Sequence, residues 1–158
     1  MIKNNIKALL IHFTIAFSCV IISMISNSSA KWSSEEAAKN HHNSMIAISL
    51  IILCCSIFLY YYASKKYCNK QRKLVYSLIS VSIVTIIGIF LWIITFCIDP
   101  KGLDGRLINS NNWVNYSFYI GYAQMFLDES GINNPYIFLM LCFIPSATMC
   151  IGLIRKKV

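Results

Sequence analysis

Residues 64–74 read SKKYCNKQRKL, and the orientation of the whole chain hangs on them. Lys65, Lys66, Lys70, Arg72 and Lys73 crowd this stretch, and a long apolar run flanks it on each side. A basic cluster between two apolar segments of spanning length is costly to carry across a bilayer, so it marks the cytoplasmic face. With that loop inside, alternation assigns a side to every other segment.

Before the loop, a span over about 44–62 closes on Tyr60, Tyr61 and Tyr62, and tyrosines beside lysines form an interface belt. After it, residues 74–98 carry no formal charge and form a span over about 75–98, stopped by Asp99-Pro100. Toward the N-terminus, residues 8–30 are uncharged, more than the roughly 20 apolar residues that a crossing helix needs. They predict a first span over about 6–25. Ser28 and Ala30 are small residues suited to a signal-peptide cleavage site, but the apolar run is longer than a signal core. Trp32 sits where an outer-interface aromatic belongs, and Ser33 with Glu36 reads as a capping box leading into the second span. A last span over about 135–154 runs into Arg155, Lys156 and Lys157. Pro145 should kink it by removing a helical hydrogen bond, with Ser146 and Thr148 as candidates to satisfy the freed carbonyl. The expected fold is a single all-α integral membrane domain of four transmembrane helices. Both termini are inside, the outer segments are 26–43 and 99–134, and the inner basic loop is 64–74.

Composition agrees with that class. The 158 residues are 57% hydrophobic and 13% charged, with a mean hydropathy of +0.60, where a soluble domain carries about 25% charged residues. The net charge of +8 would suit a nucleic-acid partner, but its placement excludes one. Only Lys31, Lys39, Lys101 and Arg106 of the fourteen basic residues fall in outer segments, whereas all six acids do. Topology accounts for that split, and the inner cluster also suits anionic membrane lipid headgroups. The seven cysteines avoid the long outer loops and show no CxxC or metal spacing, so they read as packing residues. The Lys, Asn and Ile bias points to an AT-rich genome and a bacterial plasma membrane.

Little in the chain invites chemistry. Apart from Lys7 at the very start of the first, the expected spans hold no Asp, Glu, Lys or Arg, the groups on which ion-coupled carriers and proton relays depend. His12 lies within the first span, and it is expected to be a neutral imidazole bonded to a neighbouring helix. His41 and His42 are adjacent and do not share a helix face, so no metal site and no cofactor are expected.

The outer segment 99–134 is far longer than a connection between neighbouring helices requires. Within it, Ser117, Gly121, Gln124 and Asp128 share one narrow helical face, and apolar or aromatic residues cover the rest up to a stop at Gly131. The pattern predicts an interfacial helix over 113–129, although alternation at Val114, Tyr116 and Phe118 also suits a short strand. Trp113, Tyr116, Tyr119 and Tyr122 are therefore the candidate partner-binding residues, since aromatics dominate binding hot spots. The competing reading makes those rings a cap on the bundle or a float at the headgroups. The functional expectation is a small non-catalytic membrane protein, an accessory subunit or immunity-type protein, that binds a protein partner through this loop. A transport or channel element active as a homo-oligomer is the alternative, and a membrane enzyme comes third.

Overall fold

The computed structural model describes residues 1–27, 35–71, 73–100 and 112–154. Arg72, Trp32, the capping Ser33, the small residues of the cleavage-like site and the terminal basic cluster 155–157 lie outside them. The described residues form eight helices: α1 (Ile2–Asn27), α2 (Glu35–Tyr67), α3 (Leu74–Ile79), α4 (Ser82–Ile98), α5 (Val114–Tyr119), α6 (Gly121–Ser130), α7 (Pro135–Leu141) and α8 (Phe143–Leu153). Among the described residues the sole β pairing is the isolated bridge between Gln71 and Ile154. Ile2–Ser26, Lys39–Tyr67 and Pro135–Leu153 are each long and apolar enough to cross a membrane, and Ser82–Ile98 is a shorter apolar helix of 17 residues. Helices are what such sequences must form in an apolar medium, because only they satisfy every backbone group within the segment.

The segment expected as one continuous span over 75–98 is two helices. The ladder breaks at Ser80–Val81, and two side chains from other elements repair it with three hydrogen bonds. Asn5 of α1 donates from Nδ2 to the Ile79 carbonyl at 3.0 Å and accepts from the Ile83 amide at 3.2 Å. Ser146 of α8 donates to the Val81 carbonyl at 3.0 Å. Serine competes for backbone hydrogen bonds and favours such breaks.

The last apolar segment is also divided, at Cys142. Pro145 has no N–H, so the carbonyl of Leu141 four residues earlier loses its helical donor. The donor it finds is neither Ser146 nor Thr148, whose hydroxyls go to Val81 and Ile144. It is the phenol of Tyr122, at 2.5 Å. At the start of α7, Asn134 caps the helix by accepting from the Tyr136 amide at 2.9 Å, with Pro135 in the first turn.

Two ends of the bundle can be told apart by their contacts. At one, Asn4 clasps the backbone of Asn69, donating to its carbonyl and accepting from its amide, both at 2.9 Å. The Gln71 amide donates to Leu153 at 3.0 Å, and Lys70 Nζ to Gly152 at 2.9 Å. The first turn of α1, the basic loop and the end of α8 therefore meet. At the other end, Trp92 of α4 donates to the Pro135 carbonyl at 2.7 Å, and His42 near the start of α2 meets Glu129 of α6 at 3.2 Å.

The interfacial helix expected over 113–129 is instead the centre of the fold. Trp113, Tyr116, Tyr119, Ile120 and Tyr122 are each 2% exposed or less, and Ser117, Gly121 and Gln124 on the supposed polar face are buried too. Both ends of the α5–α6 pair lie at the end remote from the basic loop. Trp113 packs its ring 5.5 Å from that of Phe138, and Glu129 reaches His42. Between them the chain dips into the bundle, breaks at Ile120 and returns along α1 and α2. Exposed apolar side chains lie on the long helices instead, among them Leu10, Phe13, Phe17, Phe58 and Phe90.

Candidate functional site

The four candidate aromatics form a continuous ring cluster with His12. Trp113 and Tyr116 lie 5.8 Å apart edge to face, and Tyr116 and Tyr119 stack at 6.4 Å. His12 packs 4.4 Å from Tyr119 and 6.3 Å from Tyr122, and Tyr60 of α2 meets Tyr122 at right angles at 5.6 Å. His12 Nδ1 shares a 3.0 Å hydrogen bond with the Tyr60 hydroxyl, so the imidazole is tied to a neighbouring helix. Each phenol of the α5–α6 pair donates to a backbone carbonyl: Tyr116 to Phe138 at 2.6 Å, Tyr119 to Val84, and Tyr122 to Leu141. The Phe138 carbonyl needs that donor because the Cys142 amide, four residues on, turns to Leu139.

Glycines permit these approaches. A Cβ on Gly88 would stand 2.6 Å from the Tyr119 ring and 2.7 Å from Cys142 Cβ. One on Gly121 would meet the Ala16 carbonyl oxygen and a Val20 methyl, both at 2.5 Å. Gln124, one turn beyond, is fully buried and its amide has no hydrogen-bond partner among the described residues. Among those residues no three His, Cys, Asp or Glu side chains converge as metal ligands.

No family model, curated protein or solved structure matches this chain. Its own geometry must carry the functional argument. As candidate partner-binding residues, Trp113, Tyr116, Tyr119 and Tyr122 are brought together, but inside the protein, where a docking partner cannot touch them. The sequence reading missed this because hydroxyls and amides in an outer segment look like water-facing groups. Pro145 was the available signal that a donor had to come from elsewhere.

Lys65, Lys66, Lys70 and Lys73 of the basic loop stay at the surface. Lys65, Lys66 and Lys73 lie over the rings of Tyr61, Tyr67 and Tyr76 at 5.6, 5.2 and 5.9 Å. Lys70 holds the end of α8, and Lys7 donates to the Tyr67 carbonyl at 2.7 Å, so cations meet the negative ends of helix dipoles. Cys68 packs inward although it lies in the basic loop. It is 6% exposed, and burial pushes its thiol above the usual range, with Lys7 and Lys70 pulling the other way. Thiolate is the reactive form, so Cys68 should label slowly.

Among the described residues, concave surface is found on the outside of α1 and α2. Two adjoining apolar cavities run between these helices and share Thr14, Ile15 and Leu59. The one toward the basic loop, about 280 Å³, is floored by Leu10, Ile11, Ala63 and Tyr67. The other, about 360 Å³, reaches Ser18, Ile22 and Ile51. Cys19 and Ser56 close its base, 3.2 Å apart.

Proposed function

We propose that this chain is a four-span membrane protein with both termini cytoplasmic, and that it acts by binding a membrane-embedded partner in the groove between α1 and α2. The observation that carries the reading is where polar and concave surface ends up. The ring cluster spends its hydroxyls on the carbonyls of broken helices, which makes it scaffold. The α1–α2 groove is a concave apolar surface, among the described residues, that stays open on the outside of the bundle. An accessory subunit or immunity-type protein needs such a face and no catalytic groups. The four-span count treats α3 with α4, and α7 with α8, as single crossings. The meeting of Asn4, the basic loop and the end of α8 at one end of the bundle supports placing all three inside.

Topology has a direct test. A membrane-impermeant maleimide applied to intact cells should label Lys39→Cys and spare Lys66→Cys, while opened cells should expose residue 66 within minutes. Native Cys68 should stay largely unreacted in both until the protein is unfolded. Labelling of residue 66 from outside would invert the orientation.

The site is tested by filling it. Ser18 is exposed and lines the outer half of the groove, so Ser18→Phe adds a ring there without touching the core. The detergent-extracted wild type should carry its partner stoichiometrically by intact-complex mass. Ser18→Phe should lose the partner while thermal stability moves by about 0.5 kcal/mol or less. Retention of the partner would remove the groove as its site, and a closed homo-oligomer of this chain alone would favour the transport reading.

A further inference from the structure

We infer that the half of the groove next to the basic loop is a site for one anionic phospholipid, its phosphate held by Lys3 and Lys66 and one acyl chain lying between α1 and α2. The inference rests on the reading of this groove as a binding surface and names the occupant of its inner half.

Length is the first argument. From Leu59 to Tyr67 the cavity follows eight residues of α2, about 12 Å at 1.5 Å per residue. Half the hydrocarbon core of a bilayer is about 15 Å, so the cavity matches one leaflet's depth. Its lining is apolar apart from Thr14 and Tyr67, and Thr14 spends its hydroxyl on the Leu10 carbonyl at 2.8 Å. An alkyl chain fits such a wall without leaving a polar group unpaired.

Charge is the second. On α1, Lys3 and Lys7 lie one turn apart on the face that continues to Leu10 and Thr14, and on α2 Lys66 follows Leu59 and Ala63 along the face that ends at Tyr67. The cavity therefore opens at its cytoplasmic end onto three lysines. Lys7 is committed to the Tyr67 carbonyl. Lys3 and Lys66 are exposed, and neither makes an ion pair or hydrogen bond with the described residues. Among the described residues neither has an acidic partner, and none of Glu35, Glu36, Asp99, Asp104, Asp128 and Glu129 lies in 1–27 or 64–74. An apolar slot of leaflet depth, rimmed by uncompensated cations at the inner interface, has the chemistry of an anionic phospholipid.

The test uses the full-length protein in detergent, incubated with phosphatidylglycerol or phosphatidylcholine of identical chains and read by native mass spectrometry. One phosphatidylglycerol should be retained per chain, in preference to phosphatidylcholine. Each lysine near the surface is worth about fivefold in affinity. Lys3→Gln with Lys66→Gln should therefore weaken phosphatidylglycerol by roughly 25-fold, to the level of phosphatidylcholine. Ala63→Phe, which fills the inner cavity, should abolish retention of both lipids. Lys65→Gln with Lys73→Gln removes the same net charge from the loop and should leave retention unchanged. Equal loss from that control pair would reduce the effect to general attraction by the basic loop and overturn the site. Retention of phosphatidylglycerol by Ala63→Phe would overturn it as well. If Ala63→Phe displaces a protein partner and no lipid, the lipid inference fails and the groove reading stands. If Ser18→Phe spares the partner while the lipid results hold, the converse applies.

Discussion

Alanine at Trp113 should lower the unfolding free energy of the purified protein by about 3 kcal/mol or more, and alanine at Tyr122 should do the same. Both side chains are fully buried among rings from other helices, and deleting either leaves a cavity that those rings cannot collapse to fill. In lipid the gain from hiding apolar area is small, so the loss is chiefly of close dispersion contacts. Tyr122 adds a second cost, because the Leu141 carbonyl above Pro145 is left without a donor. Tyr122→Phe isolates that component and should cost about 1 kcal/mol. Thermal unfolding in detergent reads all three. Alanine variants that lose a partner at unchanged stability would place the rings on the surface and revive them as a docking site.

Gly121→Leu should be more damaging still. A Cβ there already collides with the Ala16 carbonyl oxygen, which is backbone and cannot rotate away. Gly121→Ala should cost about 2 kcal/mol by overpacking, and the larger side chain should drive α6 off α1 and prevent a folded product. Gly88 is the informative contrast. Its nearest neighbours are a tyrosine ring, which can tilt, and the Cys142 Cβ, which moves only with its backbone, so Gly88→Ala should be somewhat milder than Gly121→Ala. Gly131→Ala has open space around it and a left-handed φ of 67°, and should cost about 1 kcal/mol through backbone strain alone. The ranking 121, 88, 131 in thermal scans is the expected result, and a harmless Gly121→Ala would break the account of α6 packed on α1.

The long apolar helices were legible because length and lack of charge constrain a chain in lipid more than side-chain detail does. α1 and α2 run past the expected limits of 6–25 and 44–62, since nothing obliges a helix to end where the hydrocarbon does. What was not legible was pairing. Asn4 and Asn5 look like ordinary polar residues ahead of a span, yet one clasps the basic loop and the other bridges the break after Ile79. Their role depends on breaks elsewhere, and hydropathy does not register a break between two equally apolar halves. The segment 113–129 failed for a related reason. Its polarity was read as exposure, whereas a phenol beside a proline-freed carbonyl is better placed in the interior than in water. Cys68 follows the same logic, a loop residue buried because Asn4 and Gln71 draw the loop onto the bundle.

The position of the α5–α6 pair bears on how the protein is made. Translation completes α1 and α2 well before Trp113 and its neighbours exist, so the faces carrying His12, Ala16 and Tyr60 wait without their final partners. Contacts of such sequence separation form late and slowly. During that interval the nascent chain presents an imidazole, asparagines and a helix with an unrepaired gap to lipid or to the insertion machinery.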